Sequence, residues 1–182
     1  MKKLVTLLVL SVLLVIGCGP NTPPVEVADT KDMPDWATGV SAQDVYYGIG
    51  MAKMAEIPNS MNRAQVMARQ SIATQVEVKV AAMLKSFSQE SGGQVLDFYE
   101  NVTKQVADES LRGCKPAGGI YSNNSMYYAK DGTVWALMEY SLASVAQNAL
   151  DAFKGPSEEA LYNEFKASQA FKALDAEVAK PD

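Results

Sequence analysis

From Ala64 to Phe87 an apolar residue recurs every three or four positions, and this run constrains the fold more than any other feature. Ala64, Ala68, Ile72, Val76, Val80, Met83 and Phe87 form one stripe, with Arg63, Arg69, Gln70, Glu77 and Lys79 mostly off it. That is the period of an α-helix with one buried face. Pro58-Asn59-Ser60 opens the helix, with Ser60 as the expected N-cap, and Ser91-Gly92-Gly93 ends it. Small residues dominate the first half of the stripe, so a neighbouring backbone can approach closely there. A second helix is expected with Val95, Phe98, Val102 and Val106 in step, stopping near Leu111-Arg112-Gly113. Methionines and aromatics at this spacing read as core rather than as a cofactor pocket.

On either side of these helices the period changes to two. Val45, Tyr47, Ile49 and Met51 fall on one face of a strand, opposite Tyr46, Gly48, Gly50 and Ala52, whose small members let a helix pack closely. Gly48-x-Gly50 is half of a dinucleotide fingerprint, but Lys53 stands where the third glycine belongs, so the glycines read as packing. Downstream, the runs 120–129 and 133–141 flank Lys130-Asp131-Gly132, a strong hairpin signal. The second run is apolar on both faces except at Thr133 and Glu139, as expected of a central strand. The first is polar through Ser122-Asn123-Asn124-Ser125, as an edge often is.

Residues 142–154 read as a helix, Gly155-Pro156 as a break, and Ser157 as the cap of a further helix with Glu158 and Glu159 in its first turn. Leu161, Phe165, Phe171, Leu174 and Val178 make a sparse stripe able to dock on its own domain or on a neighbouring subunit. Together these runs predict an α+β fold. A small antiparallel sheet of about three strands packs on one long and one shorter helix, with a helical C-terminal tail.

The N-terminus has a different character. Lys2-Lys3, an apolar run from Leu4 to Val15 and the lipobox-like Val15-Ile16-Gly17-Cys18 describe a secretory signal. The run is well short of the ~20 residues that cross a bilayer. The arrangement resembles the site at which lipoprotein maturation attaches diacylglycerol to a cysteine thiol, cleaves before it and acylates the new amine. Gly19 follows, where an aspartate would resemble an inner-membrane retention signal, so the outer membrane is expected, with the domain on its periplasmic face rather than the cell surface, the alternative that the signal leaves open. The organisation read from the chain is therefore a signal peptide at 1–17, a lipidated Cys18 with a Pro-rich tether to residue 35, an α+β domain at 36–142 and a helical tail at 143–182. The clustered acids Glu26, Asp29, Asp32 and Asp35 lack the order of a calcium loop and read as solvated linker.

Charge and composition narrow the chemistry. The formal net charge is −5, and loss of Lys2 and Lys3 with the signal takes it to −7. A chain this acidic is a poor partner for nucleic acid, whose affinity depends on Lys and Arg displacing counterions. There is no histidine, which removes the usual general base, the Ser-His-Asp and Cys-His arrangements and histidine-bearing zinc sites. Of two cysteines lipidation consumes Cys18, so Cys114 is unpaired and reads as a buried, shielded thiol. No enzyme, cofactor or metal site is expected.

Several of these residues occur together in a known pattern. Pro34-Asp35-Trp36, Tyr47-Gly48-Ile49-Gly50, Ala64, Ala68-Arg69, Ile72-Ala73, and Gly132 followed by Trp135-Ala136-Leu137 give the span from Pro34 to Leu142 its character. This span resembles the LPP-twenty family of small bacterial outer-membrane lipoproteins, whose relatives include flagellar outer-membrane ring lipoproteins and surface antigens. The resemblance implies an α+β domain on a lipid anchor and carries no catalytic residues.

Two functions follow as expectations. The first is a structural or assembly lipoprotein of the envelope, self-associating or docking onto an envelope complex, with Trp135, Tyr46 and Tyr128 as candidate contact residues. The second is a binding module for a small ligand or glycan, using Tyr46, Tyr121, Tyr127, Tyr128 and Trp135. A strand apolar on both faces needs two covers, and either the tail or a neighbouring subunit is expected to supply the second.

Overall fold

A computed structural model describes residues 32–92, 96–154 and 159–179. The signal peptide, Cys18, the tether as far as residue 31, Val95 and the Ser157 cap lie outside the described residues. The strands are β1 (Val45–Ala52), β2 (Lys115–Pro116), β3 (Met126–Tyr128) and β4 (Val134–Ser141). The helices are α1 (Ile57–Ser91), α2 (Leu96–Gly113), α3 (Leu142–Ala152), α4 (Glu159–Ala167) and α5 (Gln169–Val178), with 3-10 turns at Asp35–Thr38 and Gly119–Tyr121. The fold is α+β, a four-stranded antiparallel sheet with one long helix against it.

β4 is the central strand. β1 pairs with it over eight residues, from Val45↔Ser141 to Ala52↔Val134. Along its other edge β2 pairs at Lys115↔Glu139 and Pro116↔Met138, and β3 at Met126↔Ala136 to Tyr128↔Val134. Leu137 joins the two, since its carbonyl accepts from Ala117 N (3.0 Å) and its N–H donates to Ser125 O (2.8 Å). β2 and β3 are thus one strand position interrupted by an excursion. Of the run expected as a strand, 120–129, only Met126–Tyr128 is one; its first residues lie in the 3-10 turn Gly119–Tyr121, where Gly119 adopts φ +60 and the chain turns out of the ladder, and β2 precedes the expected run. Glu139 holds the start of the excursion, accepting from Gly118 N (2.8 Å) and pairing with Lys115 Nζ (3.2 Å). The hairpin closes where the sequence places it, with Gly132 at φ +88.

Every member of the α1 stripe from Ala64 to Phe87 is buried. Its first half lies against β1 so closely that a Cβ on Gly48 would stand 2.1 Å from Ala68 O, and one on Gly50 2.0 Å from Ala64 O. Beyond Ile72 large side chains take over. Phe87, Tyr99, Phe153, Phe165 and Phe171 form one aromatic cluster, with Phe153 and Phe165 stacked at 4.2 Å and Phe87 edge-on to Phe165 at 5.2 Å. The tail therefore docks on its own domain through Phe165, Phe171 and Leu174. Ser60 is not the N-cap. Pro58, favoured in a first helical turn, starts α1 at Ile57, and the buried Ser60 Oγ accepts from Met54 N (2.9 Å) and fastens the β1–α1 turn.

Of the two covers expected for the second face of the sheet, the tail is not one. The tail packs on α1 and α3, away from Trp135 and Leu137. Trp36 closes this face instead, buried against Ala117 and Leu137 and donating from Nε1 to Asn124 O (2.8 Å). Tyr47, Ile49, Tyr121, Tyr127 and Trp135 surround it half-buried. Among the described residues no helix is long and apolar enough to cross a membrane.

Candidate interaction surface

The alternation of β4 decides where the expected contact residues stand. Val134, Ala136, Met138 and Tyr140 face α1, whereas Trp135, Leu137 and Glu139 face away. Tyr46 opposes Tyr140 and Tyr128 opposes Val134, so both lie on the helix face, roughly 20 Å apart along the strand. Trp135 lies on the other face opposite Tyr127. Tyr46 is half-buried against the main core, and burial, then the nearby Glu177, pushes its hydroxyl pKa up. Tyr128 is exposed at the sheet edge, its hydroxyl 3.5 Å from Met61 Sδ. The three do not form one surface.

Two other groupings do form. On the second face Tyr121, Tyr127 and Trp135 gather with Tyr47 around Trp36, and Tyr47 meets Tyr121 edge-on at 5.7 Å. At one end of the sheet the β1–α1 turn meets the β3–β4 hairpin. There Lys53 Nζ reaches Asp131 Oδ2 at 3.1 Å, and Met51, Met54, Ile57 and Tyr128 are exposed.

Asp32 clasps the same end. Its carboxylate accepts from the Lys130 N–H (2.5 Å) and the Tyr127 hydroxyl (2.7 Å), and these bonds hold it below the usual carboxylate range. Asp32 therefore departs from the solvated linker in which the sequence places it. Nothing in its local pattern sets it apart from Asp29, because both of its partners lie almost a hundred residues away. Asp131 is held down to about 2, first by the Thr133 N–H, then by the Thr133 hydroxyl and Lys53.

Between α1 and α2 run two adjoining clefts of about 540 Å³ each, both bordered by Glu77 and Lys104. Leu84, Ala81 and Tyr99 line one of them, and the buried Tyr99 hydroxyl has no hydrogen-bond partner among the described residues. Cys114 is buried, and desolvation pushes its thiol up to about 11 against the opposing pull of Arg69. At neutral pH it is a protonated, shielded group rather than a nucleophile. Among the described residues no three Cys, Asp or Glu side chains are arranged to hold a metal ion.

Comparison with known proteins finds no family whose model matches this chain and no curated protein that matches it.

Proposed function

We propose that the protein is an outer-membrane lipoprotein with a structural or assembly role in the envelope, possessing the α+β domain as its working part. The observation that carries this reading is the N-terminal sequence: Lys2-Lys3, a short apolar run, and Val15-Ile16-Gly17-Cys18. Several acyl chains on one residue give near-permanent attachment, each buried methylene contributing ~0.8 kcal/mol. The domain's chemistry supports a role in contact rather than reaction. The shifted carboxylates Asp32, Asp131 and Asp151 are held by turn and helix partners, and the thiol is shielded. Docking to envelope proteins or to further copies of itself is the activity proposed, with flagellar-ring-like assemblies as one setting implied by the resemblance to the LPP-twenty family. Replacing Cys18 with Ser tests the anchor. The expected result is an unlipidated chain absent from the outer-membrane fraction, and normal lipidation of that variant by mass spectrometry would overturn it.

One observation favours a second reading, a binding module for a small, largely apolar ligand. The α1–α2 clefts offer Leu84 and Tyr99 with an unpartnered hydroxyl, in a volume suited to such a ligand. The aromatic residues that the sequence nominates for this role lie elsewhere, on the two faces of the sheet.

A further inference from the structure

The end of the sheet where the β1–α1 turn meets the hairpin exposes an unusual set of side chains. Met51 is 51% exposed, Met54 50%, Ile57 44% and Tyr128 51%. Met54 and Ile57 stand where the chain passes from β1 into α1, and the Tyr128 hydroxyl approaches Met61, one helical turn beyond Ile57. Tyr128 and Ala52 both oppose Val134 on the helix face, whereas Met51 opposes Trp135 on the other face. Clustered exposed apolar residues mark a contact surface more often than single ones do. Methionine is flexible and polarisable, and tyrosine carries an apolar body with a polar tip, a combination suited to the boundary between headgroups and acyl chains. Lys53, paired with Asp131, and Lys130, whose N–H donates to Asp32, stand in the two turns that frame the cluster.

The path of the chain selects the occupant. Asp32 is bonded to Lys130 N and Tyr127, so the polypeptide leading from the N-terminus enters the domain at this same end. Cys18 precedes Asp32 by fourteen residues, which can span at most ~50 Å. A lipid on Cys18 would hold this end within that distance of the bilayer, where the high effective concentration makes a weak surface affinity sufficient. The far end of α1, with its aromatic cluster, lies ~50 Å away along the helix.

We propose that this end of the sheet rests on the membrane, with Met54, Ile57 and Tyr128 entering the headgroup–acyl boundary and the aromatic end of α1 pointing away. The proposal rests on the lipid-anchor reading for its geometry. It fixes the orientation of the domain and leaves the helical end and the α1–α2 clefts free for protein contacts.

The test uses the full lipidated chain in vesicles of phosphatidylethanolamine and phosphatidylglycerol. Environment-sensitive fluorophores are attached in separate variants at Met54→Cys, Val78→Cys and Gln89→Cys, all exposed positions. The expected result is a blue shift and strong quenching by brominated lipid at position 54 alone. Equal quenching at the three positions, or none at 54, overturns the proposal. A second sample carries a histidine tag in place of Cys18 and is held by a nickel-chelating lipid, so that position 54 is tested whether or not cells lipidate Cys18. Mass spectrometry of the native chain judges the anchor separately. In an untethered vesicle-binding assay, Met54→Glu with Ile57→Glu should weaken partitioning by about tenfold or more, since affinity scales with the apolar area buried. Val78→Glu should not. Equal partitioning of these variants also overturns the proposal.

Discussion

The two halves of α1 are held in place by opposite means. Against β1 the helix offers Ala64 and Ala68 to Gly48 and Gly50, and the two backbones come into contact. Toward its C-terminus it offers Val80, Met83, Leu84 and Phe87 to α2 and the tail, and contact is made by rings. The first arrangement leaves no room for an added atom. The second depends on filling a large volume, so it suffers from deletion and can absorb small changes of shape. Proximity and mass are two ways to reach the close packing of a protein interior, and they fail in opposite directions.

Ile72 stands where the two halves meet, fully buried and within reach of Gly48. Ile72→Asp should have the largest effect of any single change, because an unpaired carboxylate there costs ~5 kcal/mol or more against a total stability of ~5–15. No cooperative thermal transition is expected. Gln70→Asp, two residues away on the exposed side, should stay within ~0.5 kcal/mol of the parent. Similar melting of the two variants would show that the buried face of α1 is drawn wrongly.

Deleting mass should break the helical end next. Phe165→Ala removes the ring stacked on Phe153 and edge-on to Phe87 and Phe171, at an expected cost of about 3–5 kcal/mol and a fall in Tm of roughly 10 °C or more. Phe165→Leu should recover much of that loss. Calorimetry on both variants measures how far the cluster tolerates a change of shape.

Adding mass should break the sheet end. In Gly50→Ala the new methyl would lie 2.0 Å from Ala64 O and 2.5 Å from Ala68 N, backbone atoms that cannot turn aside. The expected cost is about 3 kcal/mol, so that one added methyl at this end rivals one deleted ring at the other. A Gly50→Ala protein melting with the parent would end the comparison.

Acid should produce the smallest effect, read at the sheet end through Asp131. The folded-state pKa of Asp131 is depressed to about 2 from 3.8 by the Thr133 N–H, the Thr133 hydroxyl and Lys53. Its stabilising contribution is therefore complete above 3.8 and lost as pH falls through about 2. The side-chain carboxyl resonance of Asp131 should titrate near 2, and the Thr133 amide should exchange faster below that point. The apolar Phe153–Phe165 stack should keep its signals. An Asp131 resonance titrating at 3.8 would remove the turn bonds from the account.

Much of this architecture was legible because periodicity reports which face of an element is buried. The α1 stripe, the glycine side of β1, the Asp131-Gly132 turn and the doubly apolar β4 all express a local pattern of period 3.6 or 2. The processing signal proposed at Cys18 rests likewise on residue order alone. Partners are another matter. A two-residue strand such as β2 carries no period, and its pairing depends on Leu137 satisfying Ala117 N on one side and Ser125 O on the other. Trp36 and Asp32 become a lid and a clasp only when residues about ninety positions away arrive beside them. The tail stripe was plain in the sequence, but its choice of the far half of α1 over the second sheet face was made by the tertiary structure. The reason is physical: amphipathicity states that a face must be buried, whereas shape and unsatisfied backbone groups decide against what.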